Sequence, residues 1–336
     1  MAETVTLDLA RADDLVRAAL QASRVSPENA ACVAAALVAA ERDGQKGHGL
    51  SRVPSYAAQT RSGKVDGFAV AAAERVAPAL VRVDARDGFA FPALALAVEE
   101  VAALAEELGI AAAAVHRSHH LGQATYHVER LAARGLLGLM FGNSPKAIAP
   151  WGGRDGVFGT NPIAMAAPRG EGPPIVVDTS LARVARGKIM AAAQAGETIP
   201  DDWALDAEGR PTTDPEAALL GTVIPIGDAK GVALALLVEV LSASLTGANH
   251  GFEASSFFTA EGDPPGVGHL VIALKPGPLS GGAFAERLDA LAAAVEGQES
   301  ARLPGSRRHA LRAKADAEGL TVPAKLVAEI EALSRK

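Results

Sequence analysis

Residues 110–123, IAAAAVHRSHHLGQ, decide the fold. Ile110 to Val115 reads as a strand of small residues, and a helix is predicted to follow from about Gln123 to Arg134. A Rossmann dinucleotide-binding unit would carry GxGxxG at such a strand-to-helix junction, whereas this one holds Arg117, Ser118 and the paired His119 and His120. Backbone N–H groups at a helix start attract phosphate whatever the side chains are. The junction therefore suits an anion site in an α/β body that is not a Rossmann domain.

The same alternation continues on both sides. Upstream, ALVRVD at 79–84 alternates as a strand does, and Pro92 opens a helix that runs to Leu108. Downstream, strands are predicted at 136–141, 162–167 and 175–178, then a helix at about 183–195. A strand at 222–225 leads through Gly227 into a helix at 231–245, and a late strand covers 269–274. Residues 10–43 read as two helices, the second capped by Ser26 with Pro27 at its first position. The tail from Ala283 returns to helices. The expected organisation is a helical lobe formed by both termini, 1–65 with 283–336, and an α/β lobe of 66–282.

Composition narrows the function classes. The 336 residues carry a formal charge of -7 with dispersed basic side chains, so the phosphate-neutralising stripe of a nucleic-acid binder is absent. Apolar residues are 49% of the chain and aromatics only 4%, so packing must rest on Ala, Val and Leu. The single cysteine, Cys32, lies in an apolar helical run and excludes an intrachain disulfide. Acidic residues stand where a secretory signal needs a basic start, and no apolar run approaches the roughly 20 residues that span a bilayer. A cytosolic protein without membrane partners is expected.

Several segments carry residues suited to chemistry. In GHGLSRVPSY at 47–56, His48 precedes Arg52 by four residues, so a helix starting there would place both on one face. A histidine moves a proton near neutral pH, and an arginine four residues on clamps a carboxylate through its planar fork. In FGTNP at 158–162, an X-Pro turn presents the Thr160 hydroxyl at a strand start. Asp178-Thr179-Ser180 leaves a strand toward Arg183, Arg186 and Lys188, a junction suited to a nucleotide's phosphates and ribose. Lys230, at the strand-to-helix junction 225–231, resembles part of an anion cradle. His119 and His120, with His116 and His127 nearby, raise a zinc reading, but no HExxH or CxxC spacing supports it and no metal is expected.

Taken in order, HGLSRVPSY at 48–56, GTNPIAMAAP at 159–168, ARGKI at 185–189, PDDWALDAEGRPTTDP at 200–215 and LPG at 303–305 resemble the malate/L-lactate dehydrogenase type 2 family. That family also includes ureidoglycolate, sulfolactate and diketogulonate dehydrogenases and cyclic-imine reductases. The resemblance covers nearly the whole chain and implies an α/β nicotinamide-binding fold distinct from Rossmann, in a homodimer. It implies His48 as proton donor with Lys188 close by, and Arg52 and Thr160 as substrate contacts. NAD or NADP would be held by His119, His120, Leu121, Gly122 and Gln123, by Asp178, Thr179 and Ser180, by Ala229 and Lys230, and by Gly305, Ser306 and Arg307. Two positions depart from the family: Gly47, where many relatives have Ser, and 227–230, where Asp228 and Ala229 replace Gly and an aromatic.

The implied reaction is hydride transfer between NAD(P)H and C2 of a small 2-oxo acid. Reduction of a cyclic 2-imino acid needs the same carboxylate clamp and is the alternative. A catalytically silent ligand-binding relative is the rival from another class.

Overall fold

The computed structural model describes residues 3–335. Its centre is a seven-stranded mixed sheet in the order β2-β3-β4-β10-β5-β6-β7. These strands are β2 (Ala72–Ala77), β3 (Leu80–Asp84), β4 (Ile110–Ser118), β5 (Leu137–Gly142), β6 (Ile163–Ala167), β7 (Ile175–Thr179) and β10 (Val267–Leu274). Only β3 and β4 pair in parallel, across the crossover helix α4 (Ala90–Leu108); every other neighbour is antiparallel. The last strand, β10, is thus threaded between β4 and β5.

Small residues explain how helices reach this sheet. Ala111, Ala113 and Val115 of β4 and Val271 and Ala273 of β10 pack with Ala90, Ala93, Leu94, Ala97 and Val101 of α4 in one buried cluster. With methyl groups rather than branched chains at the contact, helix and sheet approach closely. On the other face of β10, Gly268 lies under the Ser242 carbonyl, where a Cβ would collide. That carbonyl belongs to a π-helical turn, Val240–Ser244, which continues α8 (Ala229–Glu239).

A second cluster joins the chain's two ends. Helices α1 (Leu9–Gln21), α2 (Pro27–Arg42) and α3 (Val53–Ser62) pack with α11 (Ser306–Glu318) and α12 (Ala324–Ser334) around Leu20, Leu37, Tyr56 and Ile330. Asp8 and Ser26 cap α1 and α2 by accepting from Arg11 N and Asn29 N. A third cluster gathers α6 (Arg186–Ala195), β8 (Ala204–Leu205), α7 (Pro215–Leu220), β9 (Thr222–Val223) and α8 around Leu181, Ile189 and Ala235. Helix α10 (Phe284–Glu296), after the short α9 (Pro276–Leu279), meets the β6–β7 turn through Asp289 and Arg169, 3.0 Å apart.

Four elements differ from expectation. The tail is not all helical: β11 (Leu320–Pro323) pairs antiparallel with β1 (Thr4–Leu7), closing the two termini against each other. Strand β2 was not expected, and its exposed AAERVA carries little of the branched character that marks strands. Helix α6 starts at Arg186 rather than Arg183, because Arg183 N donates to Ile224 O at 2.8 Å and Ala182 bridges Pro225. The helix expected at 231–245 begins at Ala229 and becomes π-helical after Glu239.

A buried carboxylate is one of the ties between the terminal cluster and the sheet body. Asp43, at the end of α2, accepts from Arg312 Nε and Nη2, both at 2.8 Å, and from Gln123 Nε2 at 3.1 Å. Arg312 also reaches Glu129 on α5 (Thr125–Ala132) at 2.9 Å. Because α12 completes the cluster from the far end of the chain, Ile330→Ala should cost about 2 to 5 kcal/mol, read from denaturant midpoints at unchanged m-value. A loss below about 1 kcal/mol would mean that the helix is an appendage.

Candidate active site

The His48 segment follows α2 as two successive 3-10 turns, Lys46–His48 and Leu50–Arg52, before α3 begins. No single helix carries both His48 and Arg52. Glu41 shapes the bend: its carboxylate accepts from Leu50 N at 3.0 Å and fills the space where a Cβ on Gly49 would sit. Arg52 Nε donates to Gly47 O at 2.7 Å, and no carboxylate pairs with its guanidinium among the described residues. The Phe258 ring stands 4.7 Å from that guanidinium. Arg52 is therefore a held cation with free hydrogen-bonding capacity, which suits a carboxylate ligand.

His48 is bonded end-on to another ring. His48 Nδ1 and His120 Nε2 are 3.1 Å apart, with the ring planes within 15° of each other. His120 Nδ1 lies 2.6 Å from the Tyr56 hydroxyl. His48 Nε2 has no partner among the described residues and is not walled off from solvent. Burial first, and the Arg52 charge second, push the His48 pKa down to about 4, with Asp178 opposing. Burial likewise holds His119 and His269 at about 3, His127 at about 4 and His120 well below its usual value. Burial raises the Tyr56 hydroxyl well above its ordinary range. At neutral pH the imidazoles around Arg52 are uncharged.

The end of β7 gathers the other segments. Asp178 Oδ2 accepts from Thr125 N at 2.8 Å and Thr125 Oγ1 at 2.7 Å, which fixes the His119–Gln123 junction beside it. Ser180 Oγ and Leu181 N both donate to Thr160 O, at 3.3 and 2.8 Å. Thr160 N donates to Ser144 Oγ at 3.0 Å, and Asn161 adopts φ +40°, braced by its Nδ2 bond to the buried Glu239 at 2.7 Å. Ile226 N donates to Leu181 O at 2.9 Å, which brings the Ala229–Lys230 junction alongside. Gly305, at φ +88°, starts α11 against the Val176 carbonyl of β7.

Six separate segments that hold expected residues are thus linked, directly or through their neighbours in the chain. Lys188 lies exposed on the first turn of α6, and no described contact ties it to His48. Lys230 is exposed at the start of α8. The preceding Asp228 takes φ +53° and ψ -123°, a conformation costly for any residue but glycine, with Arg183 3.6 Å from its carboxylate.

These residues fit a nicotinamide dinucleotide. Arg308, in the first turn of α11, is nine-tenths buried; its Nε stands 3.9 Å from the Asp43 carboxylate, and Nε and Nη1 make no hydrogen bond among the described residues. A buried guanidinium with unused donors, beside the helix-start N–H groups, provides for a phosphate.

The comparisons with known proteins agree. A sequence profile described as malate/L-lactate dehydrogenase matches residues 7–331. The chain belongs to the malate/L-lactate dehydrogenase family. It is 53% identical, over 97% of both chains, to (2R)-3-sulfolactate dehydrogenase (NADP(+)) of Chromohalobacter salexigens. It is 41% identical to Δ1-pyrroline-2-carboxylate/Δ1-piperideine-2-carboxylate reductase of Pseudomonas putida, over 92% of this chain and 91% of that one. Its fold is similar to crystalline Δ1-piperideine-2-carboxylate reductase of Pseudomonas syringae pv. tomato, with TM-score 0.93 and 38% identity over 98% and 100% of the two chains. The chain is accordingly a nicotinamide-dependent oxidoreductase acting on small 2-oxo or 2-imino acids.

Sequence reasoning missed Tyr56, Ser144 and Glu239, and did not pair His120 with His48. Tyr56 had a signal, since it follows Arg52 by four residues. The others act over 16 to 96 residues of chain, which no local pattern records.

The neutral histidines make stability depend on pH. In the unfolded chain each has an ordinary pKa near 6.5 and takes a proton first as pH falls. Their contribution is intact above about pH 6.5 and lost between there and the folded values of about 3 to 4. Denaturant stability should be level from pH 7 to 8.5 and decline below 6.5, by about 1.4 kcal/mol per pH unit for each histidine. His269→Gln should remove one histidine's share of that slope, and level stability down to pH 5 would show that the rings are charged in the fold.

Proposed function

We propose that the chain is an NADP(H)-dependent dehydrogenase of a 2-hydroxy acid carrying a second anionic group, of the (2R)-3-sulfolactate kind. The observation that carries this reading is the 53% identity to a sulfolactate dehydrogenase across nearly the full length of both proteins. Unpaired cations support it: Arg52, Arg186 and Lys188 have no carboxylate partner among the described residues, and Arg186 is half-buried. A monocarboxylate would need one such charge, and a substrate with a second anion needs another.

In this reading Arg52 and Thr160 hold the substrate carboxylate, and Lys188 meets the second anion. His48 delivers a proton through Nε2 to the oxygen on C2. The dinucleotide rests against 119–123, 178–180, 229–230 and 305–307, with Arg307 and Arg308 offering charge for an added phosphate. Bound nicotinamide supplies or takes the hydride. Holding the reactants in line and positioning the proton donor would together account for much of the acceleration. Reduction of a cyclic 2-imino acid is the second reading, favoured by the 41% identity to an imine reductase and the TM-score of 0.93.

A substrate panel separates these readings. With NADPH, kcat/KM should be highest for 3-sulfopyruvate and lower for pyruvate and for Δ1-pyrroline-2-carboxylate. Lys188→Ala should raise KM for 3-sulfopyruvate about tenfold or more, in line with loss of one charge-assisted contact, and leave pyruvate nearly unaffected. Arg52→Lys should raise KM for every acid, because one ammonium does not reproduce the fork. Preference for the cyclic imine would transfer the assignment to the second reading.

The same reading takes the chain as a cytosolic homodimer. Leu234, Leu236 and Leu237 of α8, with Val240 and Leu245 beyond it, are exposed, an apolar run that a second copy would cover. Light scattering should give twice the chain mass, and Leu237→Glu should lower it toward the monomer. A monomeric wild type would remove the dimer.

A further inference from the structure

The hydrogen atoms of the Tyr56, His120 and His48 chain can be assigned without ambiguity. The Tyr56 hydroxyl is fully buried and has His120 Nδ1 as its only partner among the described residues. A buried hydroxyl whose hydrogen found no acceptor would be costly, so Tyr56 donates and His120 Nδ1 accepts. Neutral His120 then carries its hydrogen on Nε2 and donates it to His48 Nδ1. Neutral His48 in turn carries its hydrogen on Nε2, the nitrogen open to a ligand. The two hydrogen bonds form one directed chain from a sealed phenol to the open Nε2–H of His48.

We propose that this chain is a proton relay, in which Tyr56, acting through His120, restores to His48 the proton that His48 gives to the substrate. The inference rests on the reading of His48 as proton donor. Once hydride has reached C2, the oxygen there holds a new electron pair. That pair takes the hydrogen from His48 Nε2; His48 Nδ1 takes the hydrogen from His120 Nε2; His120 Nδ1 takes the hydrogen from Tyr56. An O–H bond forms on the product and the phenol O–H breaks, leaving a phenolate. When product leaves, solvent gives a proton to His48 Nε2, the hydrogen on His48 Nδ1 returns to His120 Nε2, and that on His120 Nδ1 returns to the Tyr56 oxygen. One solvent proton is consumed per turnover.

The surroundings favour a relay over a histidine that waits already charged. The groups facing His48 are Arg52, His120 and Asp178, and those facing His120 are Arg52, His48, His119 and His269. Burial and Arg52 outweigh the one carboxylate. With a pKa of about 4, doubly protonated His48 is about one part in a thousand at pH 7. Burial raises the Tyr56 hydroxyl above its ordinary range and the Arg52 charge offsets part of that rise, so the phenolate is a transient that the returning solvent proton removes. Tyr56 and His120 are thus positioning residues that act through His48.

Tyr56→Phe tests the relay, because the ring can keep its packing against Phe89 and Phe91 while the hydroxyl is lost. Single-turnover reduction in the wild type should be level from pH 6 to 9. In Tyr56→Phe it should approach the wild-type rate near pH 5, drop about tenfold per pH unit above that, and so be roughly a thousandfold lower at pH 8. The proton inventory in mixed H2O and D2O should be curved in the wild type and linear in the variant. Independently of turnover, 15N shifts of His48 in the wild-type protein should report hydrogen on Nε2 and a bare Nδ1. An unchanged rate and pH profile in Tyr56→Phe, or hydrogen on Nδ1 of His48, overturns the relay. Should Tyr56→Phe not fold, the wild-type inventory and 15N shifts decide it. His48→Asn separates the two levels of the reading: if it retains turnover, His48 is not the donor at all. If it loses turnover while Tyr56→Phe behaves as wild type, only the relay fails.

Discussion

The arrangement depends on how Asp43 is neutralised. Its carboxylate is nearly sealed from water, and a lone charge there would be prohibitive. Arg312, from a helix 269 residues later, meets it with two bonds, and Gln123 adds a third. The three residues come from the His48 side of the molecule, from the chain's end and from the junction after β4. Satisfying one buried charge thereby sets the spacing between the His48 turns and the His119–Gln123 junction. Arg312 is held more firmly protonated than an ordinary arginine, chiefly by its bonds to Asp43. Without Arg312, Asp43 would keep only Gln123 and the more distant Arg308, and without Asp43, Arg312 would keep only Glu129, so either loss would loosen the frame of the site.

Within that frame, the site works by keeping water from its rings. Five imidazoles hold depressed pKa values, and burial is the first cause in each case. Uncharged rings set in a hydrogen-bonded order are defined donors and acceptors, whereas solvated ones would tumble between tautomers. The π-helical turn after α8 adjoins a comparable brace at the turn that carries Thr160. It follows Glu239, whose carboxylate accepts from Asn143, Asn161 and Gly251 and so braces the turn that presents Thr160.

Much of this was legible in the sequence, and for identifiable reasons. Junctions between strands and helices advertise themselves by residue type, so 119–123, 178–180 and 229–230 could be read as anion-friendly before their convergence was known. The missing GxGxxG correctly removed a Rossmann domain. What stayed hidden was pairing at a distance. Strands β1 and β11 have four residues each, too few for a period to register. His120 meets His48 across 72 residues, and its neighbour His119 looks equivalent in sequence yet has neither ring nitrogen bonded. The π turn escaped notice because one extra residue in a helix leaves its apolar pattern nearly intact.

The aromatic wall over the site is held in a way that bears on how ligands enter. Lys64, nearly buried at the end of α3, donates from its single ammonium to the carbonyls of Ser256, Thr259 and Glu261, at 2.7 to 3.1 Å. Those carbonyls bracket Phe257, which packs on His119 and His120, and Phe258, which stands over Arg52. Three bonds to one nitrogen leave the segment little freedom to wander before anything binds. The wall is therefore preorganised: the entropy of ordering it is lost during folding, and an arriving acid meets a surface that is already shaped.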